Sequence, residues 1–316
     1  MGTGAVAVIG LSAPDGPELD QLLERLRIHH LEVGRIALHD LLGVDRCVVM
    51  RWSETAAALM PHGGGAVVRA VCEALEACGL KRLDDDRPAD LYQEAAGEIE
   101  AAMLAVLARA RSPLAVDLLL DQPRRWSELR LKSDPDRDRL LNRLIDPPLV
   151  VARGASNIGK STLVNALAGR RVSLVADEPG TTRDHVGVFL DLAGLVVRYV
   201  DTPGMREQAP EIEAEAVRIT RDVLAQADLV LSCSDPGAAP VDGSDLPASA
   251  DILRVGLRSD LGSQTHPVEV EVSARDSDSL ARLVELVREK LVPRWVLDHP
   301  GPWRFWKAGE VQGVHP

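Results

Sequence analysis

The chain has 316 residues, 46% of them hydrophobic, 27% charged and only 3% aromatic. This length allows two or three domains and this balance excludes a disordered chain, so the core must be built mainly from Leu, Val, Ile and Ala. A net charge of −12 excludes a chain-wide electrostatic grip on nucleic acid, and any RNA contact needs a local basic patch.

The apolar run from Ala5 to Ile9 has no preceding Lys or Arg, so it reads as a strand and not as a signal peptide. Val6 stands where a myristoylation signal needs Ser or Thr. Residues 1–80 predict a small α+β domain, with strands at Ala5–Leu11 and Arg46–Trp52 and helices at Glu18–Ile28 and Ala66–Ala77. His62-Gly63-Gly64-Gly65 reads as a glycine turn into the second helix, and Gly79 caps its far end. Lys81–Pro88 is a charged linker. Residues 89–147 predict a helical segment, with Leu91, Ala95, Ile99, Met103, Val106 and Ala110 on one stripe. Pro113 and Pro123 punctuate further helices, and the charged stretch Lys132–Arg139 reads as a solvated turn.

From residue 149 to 292 apolar runs of strand length alternate with helices. The runs are Leu149–Ala152, Val186–Leu192, Leu195–Val200, Leu229–Ser232, Ile252–Val255 and Val268–Val272. This is the α/β pattern of a mostly parallel, doubly wound sheet. Asp235–Ser249 reads as a long loop, and 293–316 as a C-terminal tail holding Trp295, Trp303 and Trp306. Cys47, Cys72, Cys78 and Cys233 form no C-x-x-C pair and no metal spacing, which fits a reducing compartment. No window approaches the roughly 18–20 apolar residues of a membrane span. The expectation is a soluble, cytoplasmic chain without a membrane partner.

Gly154-Ala155-Ser156-Asn157-Ile158-Gly159-Lys160-Ser161 fits G-x-x-x-x-G-K-[ST] between a predicted strand and a helix beginning at Thr162. Glycines let backbone N–H groups turn toward phosphate oxygens, and the helix offers them its positive end. Lys160 can reach β- and γ-phosphates, and the Ser161 hydroxyl can bind Mg²⁺. Asp201-Thr202-Pro203-Gly204 follows the strand Leu195–Val200, where Asp201 can hold the Mg²⁺ shell and the Gly204 N–H can meet a γ-phosphate. Gly180-Thr181-Thr182-Arg183-Asp184 lies between these motifs, and Thr182 can add a hydroxyl to Mg²⁺. Ser273 and Ala274, followed by Arg275, end the last strand and can touch a base.

With GASNIGKSTLVNALAG, GTTRD, DTPGMRE and the SAR triplet in this order, the chain resembles GTPases of the TRAFAC class, nearest the tRNA-modification GTPase family TrmE/MnmE. The resemblance runs from Val150 to about Leu291. It extends to AVAVIGLSAP, VVMRW and HGGGAVVRAVCEALEACG, which are similar to that family's N-terminal dimerising, folate-binding domain. It implies a P-loop GTPase domain preceded by a small α+β domain and a helical segment. The implied ligands are GTP or GDP with Mg²⁺, held by Gly154, Asn157, Gly159, Lys160, Ser161, Thr162 and Gly204. The implied partners are a second copy of the chain, through its N-terminal and G domains, and tRNA or a partner protein.

Three departures qualify what the resemblance implies. The guanine-reading N-K-x-D is Leu257-Arg258-Ser259-Asp260 here. Asp260 can still accept from guanine N1–H and the exocyclic amine, and Arg258 can lay its stem and guanidinium over the base, but Leu257 cannot make the asparagine's hydrogen bonds. The sequence therefore predicts a guanine preference with weakened affinity. Met205 follows Gly204, and Met cannot orient a water; Glu213 matches the family's water-orienting glutamate, and Asn157 matches the asparagine that ligates K⁺. Lys160, Thr182 and Glu213 are thus the expected catalytic set. The family's C-terminal Cys-x-Gly-Lys, needed there for wobble-uridine chemistry, is not in this sequence, which ends Gly313-Val314-His315-Pro316. A ribosome-assembly or signalling GTPase, or a nucleotide-binding module without turnover, are the other readings of the same scaffold.

Overall fold

A computed structural model describes residues 5–29, 31–82, 87–92, 94–128, 132–169, 187–201, 221–240, 251–307 and 309–311. The chain divides into two compact units, one of residues Met1–Ala105 with the segment that starts at Trp306, and one of residues Val106–Phe305.

The first unit carries a four-stranded antiparallel sheet of β1 (Ile9–Ser12), β2 (Ile36–Leu41), β3 (Asp45–Arg51) and β4 (Ala56–Met60), in the order β1-β4-β3-β2. Helices α1 (Gly16–Arg25) and α2 (Gly65–Ala77) supply the rest of its core. Leu19, Leu22 and Leu26 recur at helical spacing and pack with Val49, Leu59, Val71 and Leu75. Asp15 caps α1, its carboxylate accepting the Glu18 N–H at 2.9 Å. The strand expected at Ala5–Leu11 is displaced to β1, and Val6 keeps only an isolated bridge to His62. The stripe expected from Leu91 to Ala110 is split between α3 (Pro88–Leu91) and α4 (Glu98–Leu107), with Gly97 just before the second.

The second unit is built on a six-stranded sheet of β5 (Leu149–Arg153), β6 (Val188–Leu192), β7 (Leu195–Asp201), β8 (Leu229–Ser234), β9 (Asp251–Leu257) and β10 (Val270–Val272). The order is β10-β9-β8-β5-β7-β6, and every pair is parallel except the β6–β7 hairpin. β5 lies in the middle, where the winding reverses, so its C-terminal end opens into the crevice in which such sheets bind ligands. Leu149, Val151, Val200, Val223, Leu224 and Val230 form a core cluster on the sheet. Helix α8 (Lys160–Ala168) follows β5, and α9 (Ser277–Leu291) follows β10.

Helices α5 (Pro113–Leu120), α6 (Gln122–Glu128) and α7 (Pro135–Asn142) belong to this unit. Ser112 Oγ accepts the Val196 N–H at 3.0 Å, and the Leu114 N–H donates to Gly194 O, fixing α5 at the β6–β7 turn. The solvated turn expected over Lys132–Arg139 is instead the start of α7, with Arg137 2% and Asp138 6% exposed. Arg137 donates to the carbonyls of Gly301 and Pro302, and the Asp138 carboxylate accepts the Arg304 N–H at 3.2 Å. After α9, residues 294–298 form α10 (Arg294–Asp298), and Trp303 is buried, its indole N–H donating to Asn142 Oδ1 at 3.1 Å.

Candidate functional site

The loop Gly154–Gly159 leaves the central strand and enters α8. Two of its residues take left-handed backbone, Asn157 at φ 66° and Gly159 at φ 103°. Gly154 has no room for a side chain, since a Cβ there would stand 2.6 Å from both Cys233 O and Ile158 Cδ1. No side chain caps α8 behind Gly159. Its first N–H groups and the end of its dipole are left for an anion.

Lys160 is 5% exposed, and its ammonium donates to Gly154 O at 3.0 Å and Ala155 O at 2.8 Å. A cation held on weak carbonyl acceptors can exchange them for phosphate oxygens, which are stronger partners. Ser161 Oγ donates to Asp201 Oδ2 at 2.7 Å. The other oxygen, Asp201 Oδ1, is buried and accepts no hydrogen bond among the described residues. A hydroxyl beside a carboxylate with one spare buried oxygen is an oxygen-only donor set, which suits the partly hydrated shell of Mg²⁺.

Beneath the loop lie Cys233 and Tyr199, both buried from the sheet side. Burial pushes the Cys233 thiol up to about 12, with Lys160 nearby pulling the other way. The Tyr199 phenol is also raised well above its ordinary value by burial. Neither group is ionised near neutral pH, so the floor of the loop stays uncharged.

A pocket of about 180 Å³ opens beside the loop. Gly159 and Thr162 line its phosphate side, and Leu257, Arg258, Asp260, Ser273 and Ala274 line the other. The structure thus gathers residues from three strand ends, β5, β9 and β10, around one cavity. Asp260 Oδ1 accepts the Ser273 hydroxyl at 2.8 Å, and Arg275 stands 3.7 Å from Oδ2. The Ser273 hydroxyl bond, assisted by Arg275, holds the Asp260 carboxyl below the usual 3.8. It therefore stays an acceptor at neutral pH.

Arg258, expected to lie over the base, lines the pocket. Its guanidinium donates to Asp235 Oδ2 at 3.1 Å and to the backbone carbonyl of Asn157, so both arms of the fork are engaged on the protein. Asp235, Gln264 and Leu261 were not singled out by the sequence. Asp235 directly follows β8 at the same edge as the phosphate loop, and that position past a strand's C-terminal end is the signal that would have found it. Thr182, Gly204 and Glu213 lie outside the described residues. His62 pairs with Asp45 at 2.9 Å, and Gly64 stands at the N-cap of α2, where the glycine turn was expected to enter a helix.

Residues 149–258 match the family model of the 50S ribosome-binding GTPase. The tRNA modification GTPase MnmE of Methylorubrum populi is 34% identical over 323 residues, covering 83% of this chain and 72% of that protein. The MnmE of Acidiphilium cryptum is 39% identical over 238 residues, covering 72% of this chain and 48% of that protein. Among solved structures, Aquifex aeolicus Era bound to GDP·AlF4⁻ is 26% identical over 45% of this chain and 56% of its own, with a TM-score of 0.35. The chain spans about half the length of the Acidiphilium relative, 48% of it. No helix among the described residues is long and apolar enough to cross a membrane. On the long match to the Methylorubrum protein and on its GTPase domain, the chain belongs to the tRNA modification GTPase MnmE family.

Proposed function

We propose that the chain binds GTP and hydrolyses it to GDP and phosphate. The observation that carries this reading is the convergence of phosphate loop and base-reading residues on one pocket, with Gly159 and Thr162, which flank Lys160 and Ser161 in sequence, at one end and Asp260 and Ser273 at the other. Loop N–H groups and the Lys160 ammonium bind the β- and γ-phosphates, where charge develops as the terminal phosphoryl group departs. Asp260 accepts from the guanine edge, and Ser273 orients that carboxylate. Ser161 and Asp201, with Thr182, are the residues that would hold Mg²⁺, which when bound neutralises phosphate charge. Gly204 would meet the γ-phosphate, and Glu213 would orient the attacking water in place of a glutamine at Met205. The exposed Asn157 side chain, at a left-handed turn on the rim of the loop, suits a K⁺ ligand completed when two G domains meet.

Within the family the reading extends to a cytoplasmic homodimer, joined through its N-terminal and G domains, with tRNA or a protein as its partner. The match to the Methylorubrum MnmE over 83% of this chain, which extends beyond the G domain, supports it. The experiment is GTP hydrolysis in KCl against NaCl across a range of protein concentrations. Turnover that rises with K⁺ and with concentration is expected, and loses its K⁺ dependence in Asn157→Ala. Equal rates in both salts, indifferent to Glu213→Ala, would remove the K⁺ and Glu213 assignments and leave a slow generic GTPase.

A further inference from the structure

We propose that Asp235 is a positioning residue for nucleotide binding, acting through Arg258 to replace the tie that position 257 has lost. The proposal rests on the guanine-nucleotide reading above. Leu257 is buried and brings no polar side-chain atom to the loop. A base-reading loop without a polar tie would be free to shift relative to the phosphate loop, and Asp260 would shift with it.

Two other side chains make the connection. Arg258 adopts left-handed backbone at φ 55°, which turns its side chain back across Gly159. Gly159, at φ 103°, lies directly beneath it, with Arg258 Nε 3.4 Å from where a Cβ would stand, an ordinary packing distance. One arm of the guanidinium then reaches the Asn157 carbonyl in the phosphate loop, and the other reaches Asp235 Oδ2 at 3.1 Å. The remaining oxygen of Asp235 accepts the Gly237 N–H at 2.9 Å, inside a turn closed by Asp235 and Ala238. The carboxylate is therefore fixed before any ligand arrives, and a planar fork held at both arms has little freedom left. Gln264 adds the second tie, donating to Leu257 O at 2.9 Å and accepting from Ser234 Oγ at 3.3 Å. The ends of β8 and β9 and the phosphate loop are joined in this way, and Asp260 sits two residues beyond the fork.

If Arg258 served the base by stacking alone, Asp235 would be dispensable. The two readings separate in equilibrium binding of a fluorescent GDP analogue to the full chain in Mg²⁺, with kcat measured at saturating GTP. Asp235→Ala and Arg258→Ala should each weaken GDP by about tenfold, and the double variant should be no weaker than either single one. In Asp235→Ala the preference for GDP over ADP should persist, because Asp260 is untouched, and kcat should stay within about twofold, because the tie is the same in ground and transition states. Asp235→Asn keeps the turn bond to Gly237, and with it the fold, while losing the charge; it should show the same loss in smaller degree. Wild-type affinity in Asp235→Ala, or losses that multiply to about a hundredfold in the double variant, would overturn the proposal. Failure of the wild-type chain to bind GDP or GTP at all would instead overturn the reading beneath it, and the proposal with it.

Discussion

The phosphate end and the base end of the pocket are held by different means. At the phosphate end the backbone is the main frame: a strand, six loop residues and a helix, with Lys160 bonded to its own loop and Gly154 packed against Cys233 of the neighbouring strand. At the base end the contacts come from side chains distant in sequence, with Asp235, Arg258, Gln264 and Ser273 converging from three strand ends. A backbone cradle leaves little freedom for substitution, because a Cβ at Gly154 has nowhere to go. A side-chain network can lose one member, here an asparagine amide, and be closed again by a guanidinium and a second amide.

The comparison is broken most severely at the phosphate end. Lys160→Ala removes the one cation in the loop, and GTP turnover should fall at least about a hundredfold. Because the lysine lies at the loop and not in the sheet core, thermal unfolding followed by circular dichroism should shift by only a few degrees, on the order of a 1 kcal/mol effect. Steady-state phosphate release unchanged in this variant would remove the phosphate-loop assignment.

At the base end, Asp260→Asn should weaken GTP by about ten- to a hundredfold and improve xanthosine nucleotides relative to guanosine ones, since the amide offers a donor where the carboxylate only accepts. Competition binding with the two nucleotide series checks it. The sign of the pH dependence follows from the same carboxyl. The Ser273 bond depresses its pKa in the folded chain, so its contribution is present above the ordinary carboxylate value of 3.8 and is lost as pH falls through the lower folded one. Guanine preference should therefore hold from neutral pH down to about 5, at concentrations where the chain stays folded.

The smallest effect concerns the floor of the phosphate end. With its thiol at about 12, Cys233 has almost no thiolate at pH 8 and is sealed from solvent. Cys47 is also buried and raised by its burial. Native alkylation at pH 8 should reach Cys72 and Cys78, with the other two labelled only after denaturation, as read by peptide mass spectrometry. Rapid native labelling of Cys233 would mean that the loop opens far more often than a close-packed Gly154 allows.

The same contrast explains what the sequence could reveal. The phosphate loop was legible because its physics is written in eight consecutive residues between an apolar strand and a helix. The parallel sheet was legible because its buried strands are continuous runs of Leu, Val and Ile. Ala56–Met60 was missed, since Ala-Ala-Ala-Leu-Met favours helix by local propensity and becomes a strand only between β1 and β3. Lys132–Arg139 was misread because charge in sequence suggests water. Arg137 is buried because the carbonyls that satisfy it lie more than 160 residues away, at Gly301 and Pro302. Asp235 was hidden for the same reason: beside Pro236 and Gly237 it reads as the start of a loop, and its partner Arg258 is 23 residues on.

The most direct test of the central claim, that one pocket joins phosphate binding to guanine reading, is nucleotide competition on the wild-type chain. A fluorescent GDP analogue bound in Mg²⁺ should be displaced by GTP and GDP at low concentration, and by ATP only at concentrations at least about tenfold higher. Equal displacement by ATP and GTP would contradict the account, because Asp260 and Ser273 would then line the pocket without reading the base.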